Sequence, residues 1–476
     1  VHLLQLASQP GSFNDILLVG LALVALAGVY LASRTDVTVL LVAALALELF
    51  SGNWGLIGLP GPLDRVAMAV ALGALVLKGT RNVGARRLVL RPLHLALLSA
   101  LAWCAASGLI AGTIVHSLGF YAFLDRFGFF PFLLFCLAPI LFGTPRQRNI
   151  LLVGLVGMAL YLGYTGCMEG LHIWKLVFPN YIANQNVGIQ WGRARGPFLE
   201  STGDGFCTFV CGTGAVIALK TWSNRVHWVC YLAIGLDFGT LFFTLTRGVW
   251  IGTFVGIVGT MMLTQRTRRL IIPLMLAGLI VVGGTLLVAP TIRGEAFGRA
   301  ESQSPVWDRQ NTDLAALRIV KEDPLFGVGW ENFTNVGSQY MLQQPDYPIT
   351  GIGLEVHNVF LSHAAELGIP GLLLWLAGFT GAVRRALFPE GLLRKTKTAT
   401  GPPPDPDLQL WRAGGFAIIL CYLIIASLAP FSEALPNTLL WIWLGIVAAP
   451  YTSVVRTRAS HRRASHRPPL VLAVVE

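Results

Sequence analysis

Charge is what this chain has little of. Only 12% of its residues are Asp, Glu, Lys or Arg, while 54% are hydrophobic. A soluble globular domain carries about twice that charged share. Apolar runs recur that are long enough to cross ~30 Å of hydrocarbon, each needing about 20 residues, and they exclude a soluble enzyme. They also exclude a transmembrane β-barrel, whose strands alternate apolar and polar positions in short segments. Cysteine is sparse too: seven in all, most of them inside apolar runs, with no CxxC pair. That excludes a disulfide framework and a thiolate metal site. Cys207 and Cys211 share a helix face and read as small packing residues. HExxH, a Walker A loop and G-x-S-x-G are all missing. Gly327-Val-Gly329 lacks the third glycine of a dinucleotide turn, and a tight turn after Pro324 accounts for it. No basic region precedes the first apolar run, so a cleavable signal peptide is not expected. The net charge of +11 fits the basic loops of a membrane protein better than a nucleic-acid partner.

What is present is helix-length apolar sequence. Thirteen spans can be placed, at 13–33, 37–50, 64–79, 91–113, 128–144, 150–167, 205–220, 226–246, 248–264, 270–289, 357–382, 412–430 and 435–451. The pattern predicts a single-domain, all-α polytopic integral membrane protein with about 12–13 transmembrane helices. Of the 35 basic residues, 24 fall in strictly alternate loops, and positive charge marks the cytoplasm. The N-terminus is then outside and the C-terminal tail inside. Two outer loops stand out, 167–204 and the large 290–356, the latter expected to be partly helical. Inside lie a linker at 383–411, containing Gly401-Pro-Pro-Pro-Asp-Pro, and a basic tail at 456–476 suited to anionic lipid heads.

Eleven cations remain on the outer side against the charge bias, among them Arg193, Arg195, Arg247 and Arg309. Arg247 sits in the very short turn Leu245-Thr246-Arg247-Gly248, close to the apolar boundary, where an arginine needs a partner or snorkels to the interface. Glu48, Asp237, His363 and Glu366 fall within spans. Intramembrane acids of this kind serve proton-coupled transporters, so a transporter or lipid flippase using Asp237, Glu48 and Glu366 is one reading. A protonated Asp237 hydrogen-bonded to a neighbouring helix is the blander one. His363 and Glu366 are three apart and positioned to touch. Pro370, flanked by glycines, is expected to break its helix in mid-membrane. Broken helices line cavities, so the His357 end of this span is expected to wall a pocket.

Arginines converging at a membrane surface suit phosphate, because the guanidinium binds it through two parallel hydrogen bonds and keeps its proton. A histidine beside them takes a proton from a hydroxyl near neutral pH. These parts fit glycosyl transfer from a lipid diphosphate, with no metal, nucleotide or other cofactor required.

Four motifs carry a resemblance: His357-Asn358, nine residues, then Gly368-x-x-Gly371; Arg309 followed by Pro324-Leu-Phe-Gly-Val-Gly-Trp-Glu-Asn-Phe; Thr246-Arg247-Gly248-Val-Trp250; and Arg195-Gly-Pro-Phe198. Their order and spacing, over roughly residues 190–380, resemble the O-antigen ligase and polymerase superfamily. The resemblance implies a GT-C-like, metal-independent inverting glycosyltransferase in the bacterial inner membrane, acting at the periplasmic face. Its donor is an undecaprenyl-diphosphate-linked glycan. By the same resemblance His357 is the base, and Arg247 and Arg195 bind the diphosphate; Arg193 and Arg309 are further candidates to bind it, and Asn358, His363 and Glu366 are expected as supporting residues. Where relatives usually show an aromatic four residues after the loop arginine, this chain has Asp313, placed to pair with Arg309. The many outer arginines suit a phosphorylated lipid A core as acceptor, which points to a ligase. A polymerase or a protein O-glycosyl ligase shares the same motifs.

Overall fold

The computed structural model describes residues 30, 34–59, 61–81, 91–263, 265–288, 290, 293, 294, 298, 304–343, 348, 349, 351, 353–387, 406–431 and 433–448. Among them there are helices and turns and no strand. The main helices are α1 (Val37–Glu48), α2 (Leu63–Arg81), α3 (Pro92–Ile110), α4 (Phe129–Leu141), α5 (Pro145–Gly170), α6 (Ser201–Thr221) and α7 (His227–Phe243). They continue as α8 (Arg247–Met261), α9 (Ile271–Val288), α10 (Ser304–Glu322), α11 (Val359–Leu387), α12 (Pro406–Ala426) and α13 (Ala434–Ala448). Every predicted span from 37–50 onward lands on one of these helices, and α10 supplies the helix expected in the large outer loop. The predicted span 13–33, apart from Tyr30, lies outside the described residues, as do 388–405 of the inner linker and the tail 456–476. Among the described residues, eight helices are long and apolar enough to cross a membrane by length and composition, with α1 and α13 as shorter apolar helices. The chain is an all-α, multi-pass membrane protein.

Local chemistry sets the helix ends. Thr144 and Gln147 form a reciprocal cap at the start of α5, Thr144 Oγ1 accepting the Gln147 N–H at 3.3 Å and Gln147 Oε1 accepting the Thr144 N–H at 3.1 Å. Pro145 follows at the first helical position, where a missing N–H costs nothing. Glu200 caps α6 by accepting the Thr202 N–H at 2.9 Å. Packing then relies on small residues, as it must where lipid is as apolar as leucine. Gly163, Gly166 and Gly170 of α5 meet Leu236, Thr240 and Phe243 of α7 so closely that a Cβ at any of the three would collide. Gly252 and Gly256 of α8 sit in the same way on the Cys421 and Ala417 carbonyls of α12.

Asp237 departs from expectation. Neither of its carboxylate oxygens has a hydrogen-bond partner, although the residue is buried. It faces Gly163 and Gly212 of the adjoining helices, which offer no side-chain donor.

The break in α11 falls at Gly368 (φ 70°, ψ 176°), two residues before the proline expected to cause it. That backbone conformation is essentially reserved to glycine. The carbonyls freed by the break are taken up by the loop that follows α10 and by α3. Val328 N–H donates to the Ala365 carbonyl at 2.9 Å, and Gly329 N–H to that of Glu366 at 3.0 Å. Trp103 Nε1 donates to the Leu367 carbonyl at 2.8 Å. In return, Ile369 N–H reaches the Pro324 carbonyl at 2.8 Å. Gly327 and Gly329 therefore do more than turn the chain: a Cβ on Gly327 would run into the Ala365 carbonyl, and one on Gly368 into that of Leu325. Pro370 sits at the start of the second half-helix, where its missing N–H leaves no bond unmade.

Gly368→Ala is expected to lose about 1–3 kcal/mol from backbone strain alone, on top of the collision with the Leu325 carbonyl, and so to lower the yield of folded protein sharply. Gly157→Ala in α5, where nothing lies within 4 Å of the added carbon, is expected to be neutral or slightly stabilising. Folded yield by size-exclusion chromatography in detergent compares the two.

Candidate active site

Asn358 places the histidine. Its Oδ1 accepts the Leu361 N–H at 3.1 Å, which makes Asn358 the N-cap of α11. His357 therefore stands in the turn above the helix, not within it. Its Nδ1 lies 3.5 Å from Thr312 Oγ1 of α10. Burial, followed by the positive charge of Arg309, pushes the His357 pKa down to about 4, against a smaller opposing pull from Glu355. At neutral pH the ring is an uncharged base.

The arginines come from three elements. Arg309 lies three residues before Thr312 on α10, so the two share a helix face. Arg247 opens α8. Burial, and next the charge of Arg247, hold the Arg309 pKa below its ordinary value, while Asp313 and Asp308 pull the other way. Two guanidinium groups thus repel one another where an anion between them would relieve both. Arg193 joins from the loop before α6. Its Nη1 is 3.4 Å from Thr246 Oγ1, and Ala194 N–H donates to the Phe243 carbonyl at 2.9 Å, so this loop is fastened to the turn that carries Arg247. Asp313, expected to pair with Arg309, lies within electrostatic reach of it, yet its Oδ1 is buried without a hydrogen bond.

Arg195, expected to bind diphosphate, is the exception: its guanidinium donors are spent within its own loop. The side chain is fully buried. Its Nη1 donates to the Val187 and Ile189 carbonyls at 2.6 and 3.4 Å. Its Nη2 donates to those of Ile182 and Asn184 at 3.0 and 2.7 Å. The Trp191 ring lies 4.8 Å from the guanidinium carbon. Those donors hold the loop in shape and are not presented to a ligand. Glu169 completes the clamp by accepting the Arg195 and Gly196 N–H groups at 3.2 and 2.9 Å. Other outer cations have similar partners: Arg65 pairs with Asp125, and Arg318 donates to the Tyr340 carbonyl at 2.6 Å. An acceptor argument from the sheer number of outer arginines loses its footing.

His363 and Glu366 also part company with expectation. His363 sits among the rings of Phe127, Trp330 and Trp375, with centroids 5.6, 6.1 and 5.1 Å away. Glu366 accepts the Phe333 N–H at 3.3 Å. They face a second group that sequence reasoning missed. Arg126 donates from Nη1 to Glu331 at 3.2 Å and from Nη2 to Glu355 at 2.9 Å. These contacts span more than 200 residues, and the only hint was Arg126 standing against the charge bias. Among the described residues no group of three or more His, Cys, Asp or Glu side chains is placed to hold a metal.

An apolar groove with about 2300 Å³ of free space, counting its open side, is walled by α6, α7, α8 and α9. Trp250 lines it less than one turn from Arg247. Its ring stacks on Phe242 at 6.0 Å, and its Nε1 donates to the Leu241 carbonyl at 2.9 Å. The lining of the groove is apolar apart from Asp237 and a few threonines.

Arg195→Gln is expected to strip donors from four loop carbonyls at about 1–3 kcal/mol for each one left buried and unmet. The thermal midpoint in detergent should fall by roughly 5 °C or more, whereas Arg247→Gln should leave it near that of the parent. Equal midpoints for the two variants would contradict the assignment of Arg195 as a clamp.

No curated protein matches the chain. A family model described as O-antigen ligase matches residues 232–376, the stretch from α7 into α11 that holds Arg247, Arg309 and His357 but not Arg193 or Arg195. The match falls on motifs that carry the resemblance, so residues 232–376 of this multi-pass membrane protein are similar to the O-antigen ligase family.

Proposed function

We propose that this protein moves a glycan from an undecaprenyl diphosphate carrier onto an acceptor hydroxyl, at the periplasmic face of the bacterial inner membrane. The observation that carries the reading is that Arg309 lies within electrostatic reach of both Arg247 and an uncharged, half-buried His357, while Trp250, three residues after Arg247, lines an apolar groove. Lipid-linked glycan transfer is what the family match supports; the donor, the acceptor and the residue roles are part of the proposal. Arg247 and Arg309, with Arg193 beside Thr246, grip the diphosphate, and the isoprenoid tail lies along Trp250, Phe254 and the facing side chains of α7 and α9. His357 takes the proton of the acceptor hydroxyl as its oxygen bonds to the anomeric carbon. The bond from that carbon to the diphosphate oxygen breaks on the opposite side, which inverts the centre, and the lipid diphosphate leaves with the electron pair. Guanidinium groups already in place stabilise the developing negative charge without reorganisation. The acceptor hydroxyl in this reading belongs to a glycan, which for a ligase is lipid A core oligosaccharide.

Purified protein, a polyprenyl-diphosphate glycan and an oligosaccharide acceptor should yield product in the presence of EDTA. His357→Ala and Arg247→Ala should each lose at least ~10²-fold in rate while still eluting as folded protein. A parental rate in either variant would sink the mechanism.

The sign of the pH dependence follows from His357 acting in its neutral form with a depressed pKa. In the free enzyme, kcat/KM should hold steady as pH falls below 6.5 and drop only toward about 4. Diphosphate bound on Arg309 removes part of the charge that depresses His357, so the acid limb of kcat should lie above that of kcat/KM. An acid limb of kcat/KM at an ordinary histidine pKa would contradict the buried, neutral base.

A further inference from the structure

Beside the 355–358 segment opens a second cavity of a different kind, with about 680 Å³ of free space counting its mouth. Glu355 and Val356, the two residues before His357, form part of its wall. Trp330, Trp375, Tyr422 and Phe431 contribute rings, and Glu331, Glu355 and Glu366 contribute carboxylates. Among the described lining residues Arg126 is the one arginine or lysine, and it is engaged with Glu331 and Glu355. Glu433 lies within reach of Arg126, its pKa pushed up to about 8 by burial and then by Glu200. Glu331 itself takes a left-handed backbone (φ 58°), a strained state held only where surroundings demand it.

Two polar atoms in this wall lack a partner. Trp330 is 3% exposed and His363 is 7% exposed, and both line the cavity. Trp330 Nε1 and His363 Nδ1 are nonetheless without a hydrogen bond. Buried polar atoms are nearly always satisfied, and an unmet one costs about 1–3 kcal/mol. An indole N–H only donates, whereas carboxylates only accept. A ligand here must therefore offer acceptors and donors together and an apolar face for the rings. Phosphate fails that test, since it meets carboxylates and would draw a charge penalty. A hydrocarbon tail fails it as well, because it would bury the carboxylates unpaired.

We propose that this cavity is the acceptor subsite, and that it takes an uncharged, hydroxyl-rich sugar residue in preference to a phosphorylated one. Its hydroxyls bridge the carboxylates and the Trp330 N–H, and its ring stacks on an aromatic wall. The assignment rests on His357 as the base of the proposed transfer. Glu355 links the two sites, accepting from Arg126 on one side and standing within electrostatic reach of His357 on the other. Glu355 thereby divides a side where Arg247 and Arg309 act, with Asp308 and Asp313 beside them, from one lined by Glu331, Glu355 and Glu366 around Arg126.

Saturation-transfer NMR on the full chain in detergent tests the binding without turnover, using glucose, N-acetylglucosamine and glucose 6-phosphate as probes. Either neutral sugar should give transfer that Trp330→Phe, which keeps a ring and removes the N–H, weakens at least about tenfold. Glucose 6-phosphate should bind at least about tenfold more weakly. Equal or tighter binding of the phosphate, no binding of any probe, or binding untouched by both Trp330→Phe and Glu355→Gln would overturn the proposal. Steady-state kinetics then separates acceptor from donor. Trp330→Phe should raise KM for the acceptor glycan about tenfold and leave KM for the polyprenyl-diphosphate donor unchanged, and the reverse pattern would overturn the acceptor assignment. Sugar binding retained in His357→Ala keeps the subsite's fate apart from that of the catalytic reading.

Discussion

Everything at this site hangs on a break in one helix and the backbone that fills it. Inside a bilayer an unpaired peptide group costs several kcal/mol, so a helix interrupts itself there only where protein supplies replacement bonds. The loop from Pro324 to Trp330 supplies them, laying its N–H groups against the carbonyls of Ala365 and Glu366. The exchange works only because Gly327 and Gly368 present no side chain to the approaching carbonyls. Through this seam the loop after α10 is tied to α11, the helix that His357 precedes. Ser107 of α3 strengthens it, its hydroxyl accepting the Trp330 N–H at 3.1 Å and lying 3.4 Å from the Glu366 carbonyl.

Two consequences follow from the tie. Glu331 and Trp330, which follow directly on the paired loop, are held against Arg126 and His363. In the same way α10, which precedes that loop, is brought over α11, with Ala315, Ala316 and Ile319 packed near Val356 and Ala365. That packing sets Thr312 and Arg309 beside His357. One backbone arrangement therefore positions both the acidic cavity and the arginine cluster. A separate seam brings Arg247 to the same place: α7 is drawn onto α5 by Gly163, Gly166 and Gly170, and the turn after α7 carries Arg247 into α8.

The helices were legible in the sequence because hydropathy depends on local composition, and residues 37–50 through 435–451 illustrate it span by span. The arginine-rich turns were legible for a related reason, since a cation against the charge bias needs an explanation visible in one dimension. What that reasoning lacked was the identity of the partner. Arg193, Arg195 and Arg247 look alike as outer cations, yet Arg195 spends its donors on carbonyls six to thirteen residues away. Nothing in composition distinguishes a guanidinium that holds its own loop from one that faces another arginine. The helix break was placed two residues late because proline is the louder breaker, while the decisive feature was the conformation only Gly368 adopts. Arg126, Glu331 and Glu355 were out of reach for the plainest reason: their meeting is a product of the fold, across more than 200 residues.

The mixed charge around His357 has its own logic. A base flanked only by arginines would be held too weak to accept a proton from a hydroxyl, and one flanked only by carboxylates would be protonated before it was needed. Here burial and Arg309 lower its affinity for the proton, while Glu355 raises it. Arg126 tempers that second influence by holding Glu355 from the far side. The strength of the base is thus a balance between the two sites it separates. An anion on the arginine side shifts the balance toward a stronger base, so in the proposed transfer the donor itself readies the histidine for the hydroxyl it must accept from.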